Sequence, residues 1–160
     1  MGNRLSRRGF IGASAATLGA LSCPQVIAGE AESPLIYLST VKTDGSLSRC
    51  QAEVWYVADG TDLFVVTGQD AWRAKAVGKG LTRTQVWVGD VGQWQRANGK
   101  YRSLPGHIAE ASLVDDTDVH ASALAKFGIK YAAEWGTWGP RFRNGLADGS
   151  RVLLRYRAIA

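Results

Sequence analysis

The stretch 63–80, L-F-V-V-T-G-Q-D-A-W-R-A-K-A-V-G-K-G, constrains the fold most, because it asks for a strand, a tight turn and a helix in quick succession. Leu63, Phe64, Val65 and Val66 form the β-branched and aromatic run of a buried strand. Thr67-Gly68 breaks the run, and Asp70 is placed to cap a helix opening at Ala71. Gly78 and Gly80 stop that helix. Such a turn leaves backbone N–H groups unpaired at the positive end of the helix, where an anion is stabilised. Thr67 adds a hydroxyl, and Arg73 and Lys75 add cationic donors, the arginine with a fork suited to phosphate oxygens. Strand-to-helix turns are common, however, and on this stretch alone Arg73 and Lys75 read first as the solvated face of a short helix.

The segments on either side are short and extended. Alternating or β-branched runs predict strands at 35–41, 48–57, 63–67, 84–88, 107–114 and 151–159, with a further extended piece at 101–104. Turn signals at 43–46 and 58–61 make the first three an antiparallel meander. Cys50, Ala52, Val54 and Tyr56 share one face of the second strand, which places Cys50 in the core, while Arg49, Gln51 and Glu53 share the other. Asp115, Asp116 and Asp118 open a second helix that carries Leu124, Phe127 and Tyr131 at steps of three and four, with Gly128 ending or kinking it. Residues 135–140, rich in Trp and Gly and closed by Pro140, read as irregular, with Trp135 and Trp138 either core plugs or a lid. The class is mainly β with α: an antiparallel six-strand barrel with two or three helices.

The first residues read differently. Arg7-Arg8 and Phe10 precede an apolar, Ala-rich run that continues to Leu21, which resembles a twin-arginine export signal. Cleavage after Ala28 gives a signal peptide at 1–28, a linker at 29–33 and one domain at 34–160; Cys23 leaves lipidation as an alternative. The expected location is outside the cytoplasm, in the periplasm. That pathway carries folded proteins, often with a cofactor already inserted. Losing Arg4, Arg7 and Arg8 lowers the formal net charge from +5 to +2, and no basic cluster interleaved with aromatics remains, so nucleic acid is not an expected partner. Of the two cysteines only Cys50 survives cleavage, so the fold must rest on its apolar core rather than on a disulfide. His107 and His120 lie on different expected elements without metal-ligand spacing, so no metal site is expected.

L-S-T-V-K-T-D-G-S at 38–46 and F-V-V-T-G…W-R-A-K at 64–75 resemble motifs of the pyridoxamine-5'-phosphate-oxidase-like family, in the same element order across nearly all of 34–160. The resemblance implies an FMN-binding split β-barrel, a homodimer, and an FMN cofactor, with deazaflavin or haem as alternatives. It implies that Thr67, Gly68, Arg73 and, less closely, Lys75 hold the cofactor phosphate, that Arg49 and Gln51 reach the cofactor from the second strand, and that Gln85 lies near the ring system. Two features depart from the family pattern. Trp72-Arg73 replaces two adjacent basic residues, and Glu53-Val54 stands where a lysine is usual. The implied activity is hydride transfer to or from a small molecule, which needs no catalytic triad or dyad, and no catalytic residue is assigned. A non-catalytic flavin- or haem-binding barrel is the alternative, and a cofactor-free barrel a third.

Overall fold

The structure is a computed structural model and describes residues 33–159. The leader at 1–28, with Arg7, Arg8 and Cys23, and nearly all of the linker lie outside the described residues. In chain order the elements are β1 (Ile36–Val41), β2 (Leu47–Val54), β3 (Val57–Asp59), β4 (Asp62–Gly68), α1 (Trp72–Gly78), β5 (Arg83–Val88), a short 3-10 turn (Lys100–Ser103), β6 (Gly106–Val114), α2 (Thr117–Lys130), α3 (Ala132–Asp148) and β7 (Arg151–Ala158). The strands form one seven-stranded sheet in the order β2-β1-β5-β6-β7-β4-β3, with every pair antiparallel.

That order forces the sheet to roll. β2 and β3 are its two edges, yet only Trp55 and Tyr56 separate them along the chain. Three Cα–Cα steps span at most about 11 Å, so the edges must curl toward each other. No ladder joins them among the described residues, and the roll stays split along this seam. Alternation then sends side chains inward and outward. Ile36, Leu38, Val65, Val86, Leu154 and Tyr156 fill the inside of the roll. Phe64, Val66 and Leu153 point outward and are covered by Phe127, Tyr131 and Phe142 from α2 and α3. Tyr37 and Trp87 point outward on the opposite side and are covered by Tyr101 and Ala97. The L-F-V-V run is apolar throughout because both faces of β4 are buried.

Seven strands replace the expected six because the expected second strand, 48–57, breaks at Trp55-Tyr56. The Tyr131 hydroxyl accepts from Tyr56 N (3.0 Å) and donates toward Tyr56 O (2.9 Å), taking both backbone groups that a ladder would use. Trp55 stacks on the Tyr131 ring, with centroids 4.3 Å apart and planes 6° from parallel. The three-strand meander holds only in its two hairpins, β1–β2 and β3–β4. β4 pairs with β7 and β3, not with β2. The irregular segment expected at 135–140 is helical and lies inside α3. Its Trp135, Trp138 and Phe142 recur at helical spacing and pack on the outer face of the sheet. Gly128 does not end α2, which runs to Lys130 before Tyr131 leaves helical geometry at φ −116°, ψ 43°. The piece expected to be extended at 101–104 is the 3-10 turn. Cys50 is exposed rather than buried, because its part of β2 lies on an open edge.

Candidate functional site

The turn after β4 is built much as its residue types demand, with one change. α1 is a single short helix without a side-chain cap, and Asp70 instead pairs with Lys75 at 3.1 Å. Arg73 lies in the first turn of α1 and folds back over the end of β4, where its Nη1 donates to Thr67 Oγ1. Burial pulls the Arg73 guanidinium below its ordinary pKa, while Tyr156 and the Glu53 carboxylate oppose that shift. Among the described residues no carboxylate forms an ion pair with it. Burial also pushes the Tyr156 phenol up, an effect that the Arg73 charge opposes.

Thr67, Gly68 and Arg73 line a cavity of about 400 Å³ at the seam of the roll. On one side stands the end of β4, on the other Glu53 and Trp55 at the end of β2, and Trp138 and Phe142 of α3 form a third wall. Arg151 completes it. β7 pairs with β4 so that Arg151 lies opposite Gly68. The Arg151 stem packs where Gly145 has no side chain; a Cβ there would meet Arg151 Cδ at 2.6 Å. Its guanidinium carbon lies 5.4 Å from the Phe142 ring centroid. Two guanidinium groups, a hydroxyl and two indoles thus face one space whose size suits a small organic ligand. Glu53 is the one acidic side chain in that wall, and its Oε2 accepts from Trp94 N at 3.2 Å.

The other residues suggested by the sequence lie elsewhere. Lys75 is exposed and held by Asp70. Gln85 donates through Nε2 to Val86 O and His107 O, both at 3.1 Å, on the outward side of β5. Gln51 Oε1 accepts from the Tyr101 hydroxyl. Gln51 and Arg73 share only a space of about 40 Å³ that Cys50 and Tyr156 also touch. Arg49 is exposed on β2. Arg151, Trp55 and Trp138 belong to the cavity and were not singled out by the sequence as one group. Trp138 carried a signal, as a possible lid. Arg151 carried none, because its place depends on pairing between β4 and β7, far apart in the chain. His120 donates its Nε2 proton to Val114 O at 2.6 Å, and no group of His, Cys, Asp or Glu suited to a metal ion occurs among the described residues.

No family model and no curated protein matches the chain. Solved structures do. The chain is similar to HutZ, described as a haem-storage protein of Vibrio cholerae, at 16% identity over 81% of this chain and 84% of that one, with a TM-score of 0.56. It is similar to an F420 reductase at 18% identity over 86% of this chain and 97% of that one, with a TM-score of 0.53. These likenesses show the fold alone, and a rolled antiparallel sheet flanked by helices is consistent with a split β-barrel. The roll with an unpaired seam is that architecture, here with seven strands and three α-helices among the described residues.

Proposed function

We propose that the chain is a flavin- or deazaflavin-dependent oxidoreductase, with FMN the first candidate, and that the cofactor lies in the seam cavity. The observation that carries the reading is Arg73, bonded to Thr67 and without a carboxylate partner among the described residues, in the lining of a space also walled by Trp55 and Trp138. This donor set fits a phosphate. The guanidinium and hydroxyl offer charge-assisted and neutral hydrogen bonds, and Arg151 supplies a second guanidinium. The indoles offer flat apolar faces for a ring. Such a cofactor supplies hydride transfer to or from a small molecule. The chain's own part is to bind the anionic tail, orient the ring and exclude water with the walls that α3 provides.

Haem, which HutZ is described as storing, is the second reading. It ranks below flavin because the described residues lining the cavity include no His, Cys, Met or Tyr to ligate iron. Export through the twin-arginine route rests on Arg7, Arg8 and the apolar run after them, and a homodimer on the resemblance of the sequence motifs. The test is the visible absorption spectrum of the full chain purified from the cytoplasm. A flavin or deazaflavin band is the expected result. A haem spectrum would favour the storage reading. No visible band, with no spectral change on adding FMN, deazaflavin or haem, would leave a cofactor-free barrel.

A further inference from the structure

Lys130 ends α2 with its amine turned under the surface. Its Nζ is buried and has no hydrogen-bond partner among the described residues. It lies 3.4 Å from the centroid of the Tyr56 ring and 5.6 Å from that of Tyr131. One turn earlier Lys126 projects from the same face and is neutralised by Asp59 of β3 at 2.8 Å. Both lysines line a cavity of about 330 Å³ whose other walls are Val57, Ala58 and Ile129, and none of these residues belongs to the seam cavity. Ile129 is 82% exposed, so the cavity opens to solvent beside an apolar side chain.

The groups that face this amine are Tyr56 and Tyr131 from below, with Lys126 and Asp59 at the cavity mouth. The Tyr131 hydroxyl offers no titrating partner in the neutral range: burial pushes it up to about 12, and it is already bonded to Tyr56 and Pro34. Burial pulls the Lys130 amine down to about 8. A ring face favours the ammonium form, but without an anion or an acceptor it does not offset the lost hydration. A lysine desolvated in an apolar pocket is a nucleophile near neutral pH.

We propose that Lys130 is a reactive amine that condenses with small apolar aldehydes entering this cavity. The walls are apolar and the one other cation is already paired, so an uncharged carbonyl compound suits the space better than an anion. The amine first swings off the Tyr56 face into the cavity. Its lone pair then attacks the carbonyl carbon, the nitrogen–carbon bond forms, and the carbonyl π electrons move to oxygen. A proton passes from nitrogen to that oxygen, water leaves, and an imine remains. Hydrolysis reverses the step, and no oxidant or reductant is consumed. Lys126 stands at the same mouth as an N–H donor for the carbonyl oxygen.

The test treats the full chain with propanal and cyanoborohydride, which reduces the imine to a stable propylamine, and maps labelled lysines by peptide mass spectrometry. A fall from the ordinary 10.5 to about 8 enlarges the neutral fraction at pH 7 by roughly a few hundredfold. Lower intrinsic nucleophilicity takes back part of this, so Lys130 should label at least about tenfold faster than exposed Lys100. Its rate should level off above about pH 8. Lys130→Arg should abolish that fast label and leave the others. Labelling of Lys130 no faster than Lys100, or a Lys130 rate that keeps climbing well above about pH 8, would overturn the proposal. Both readouts come from the parent protein, so they decide even where the arginine variant does not fold.

Discussion

Arg73 sits where two demands meet, because one guanidinium both closes the end of β4 and faces the seam cavity. Arg73→Ala should weaken FMN binding by roughly tenfold to a hundredfold, the equivalent of about 1.5–3 kcal/mol for a charge-assisted hydrogen bond. The apo protein should also lose about 1 kcal/mol, since Thr67 is buried and loses its partner. Fluorescence titration and denaturation of the apo forms separate the two effects. Unchanged affinity beside a loss of stability would make Arg73 a structural residue only. Thr67 and Arg73 were legible in the sequence because a strand-turn-helix of this length brings residues six apart together. Cys50 was misread for an equally physical reason. A period of two assigns a side chain to a face, but not to a depth, and β2 is an edge strand. Asp70 was misread because a short side chain beside a turn can cap the helix or pair with a lysine, and here it pairs with Lys75.

At the scale of the helices, the glycines of α2 and α3 have opposite meanings. Gly128 and Gly139 leave a slot for the Trp135 indole; a Cβ at either would approach that ring to 2.8 Å. The ring cannot yield easily, because it stacks on Phe127 at 6.3 Å and meets Phe142 edge-on at 5.9 Å. Gly136, one residue along from Trp135, is exposed and has nothing within 4 Å of its Cβ position. Gly136→Ala should therefore stabilise the fold by about 0.4–1 kcal/mol through a less flexible unfolded chain. Gly128→Ala gains the same propensity but should be net destabilising, since overpacking costs about 1–3 kcal/mol. Urea denaturation at unchanged slope checks the pair. Stabilisation by both substitutions would show that the slot is loose. The sequence hid α3 because Gly136, Gly139 and Pro140 outweigh its helical spacing in any local reading. Their cost is offset by packing on Phe64, Val66 and Leu153, which no local window contains.

Over the whole molecule, strand existence was largely legible and strand order was not. The seam depends on one hydroxyl, Tyr131, reaching the Tyr56 backbone from the joint between α2 and α3, 75 residues away in sequence. At the start of β4, its pairing with β7 is fastened by Asp62, whose carboxylate accepts from Arg157 Nε at 2.8 Å and Nη2 at 2.7 Å. Arg157 holds the Asp62 carboxyl below the usual range against the opposing effect of burial, and Arg155 adds to this. A depressed folded pKa means the stabilisation is complete above about pH 4 and is lost as pH falls through the folded value. The stability gap between the parent and Asp62→Asn should thus shrink on acidification below about pH 4. A gap independent of pH would show that the pair contributes nothing through its charge. Light scattering at micromolar concentration should give a dimer when cofactor is bound, and a monomer would remove the second subunit from the proposed reading. The crystal structure of the full chain with FMN tests the central claim most directly. The account expects phosphate oxygens within hydrogen-bond distance of the Arg73 guanidinium and the Thr67 hydroxyl, and the ring between the ends of β2 and β4 beside Trp55 or Trp138. Bound FMN seated away from the seam, with Arg73 still bonded only to Thr67, would contradict it.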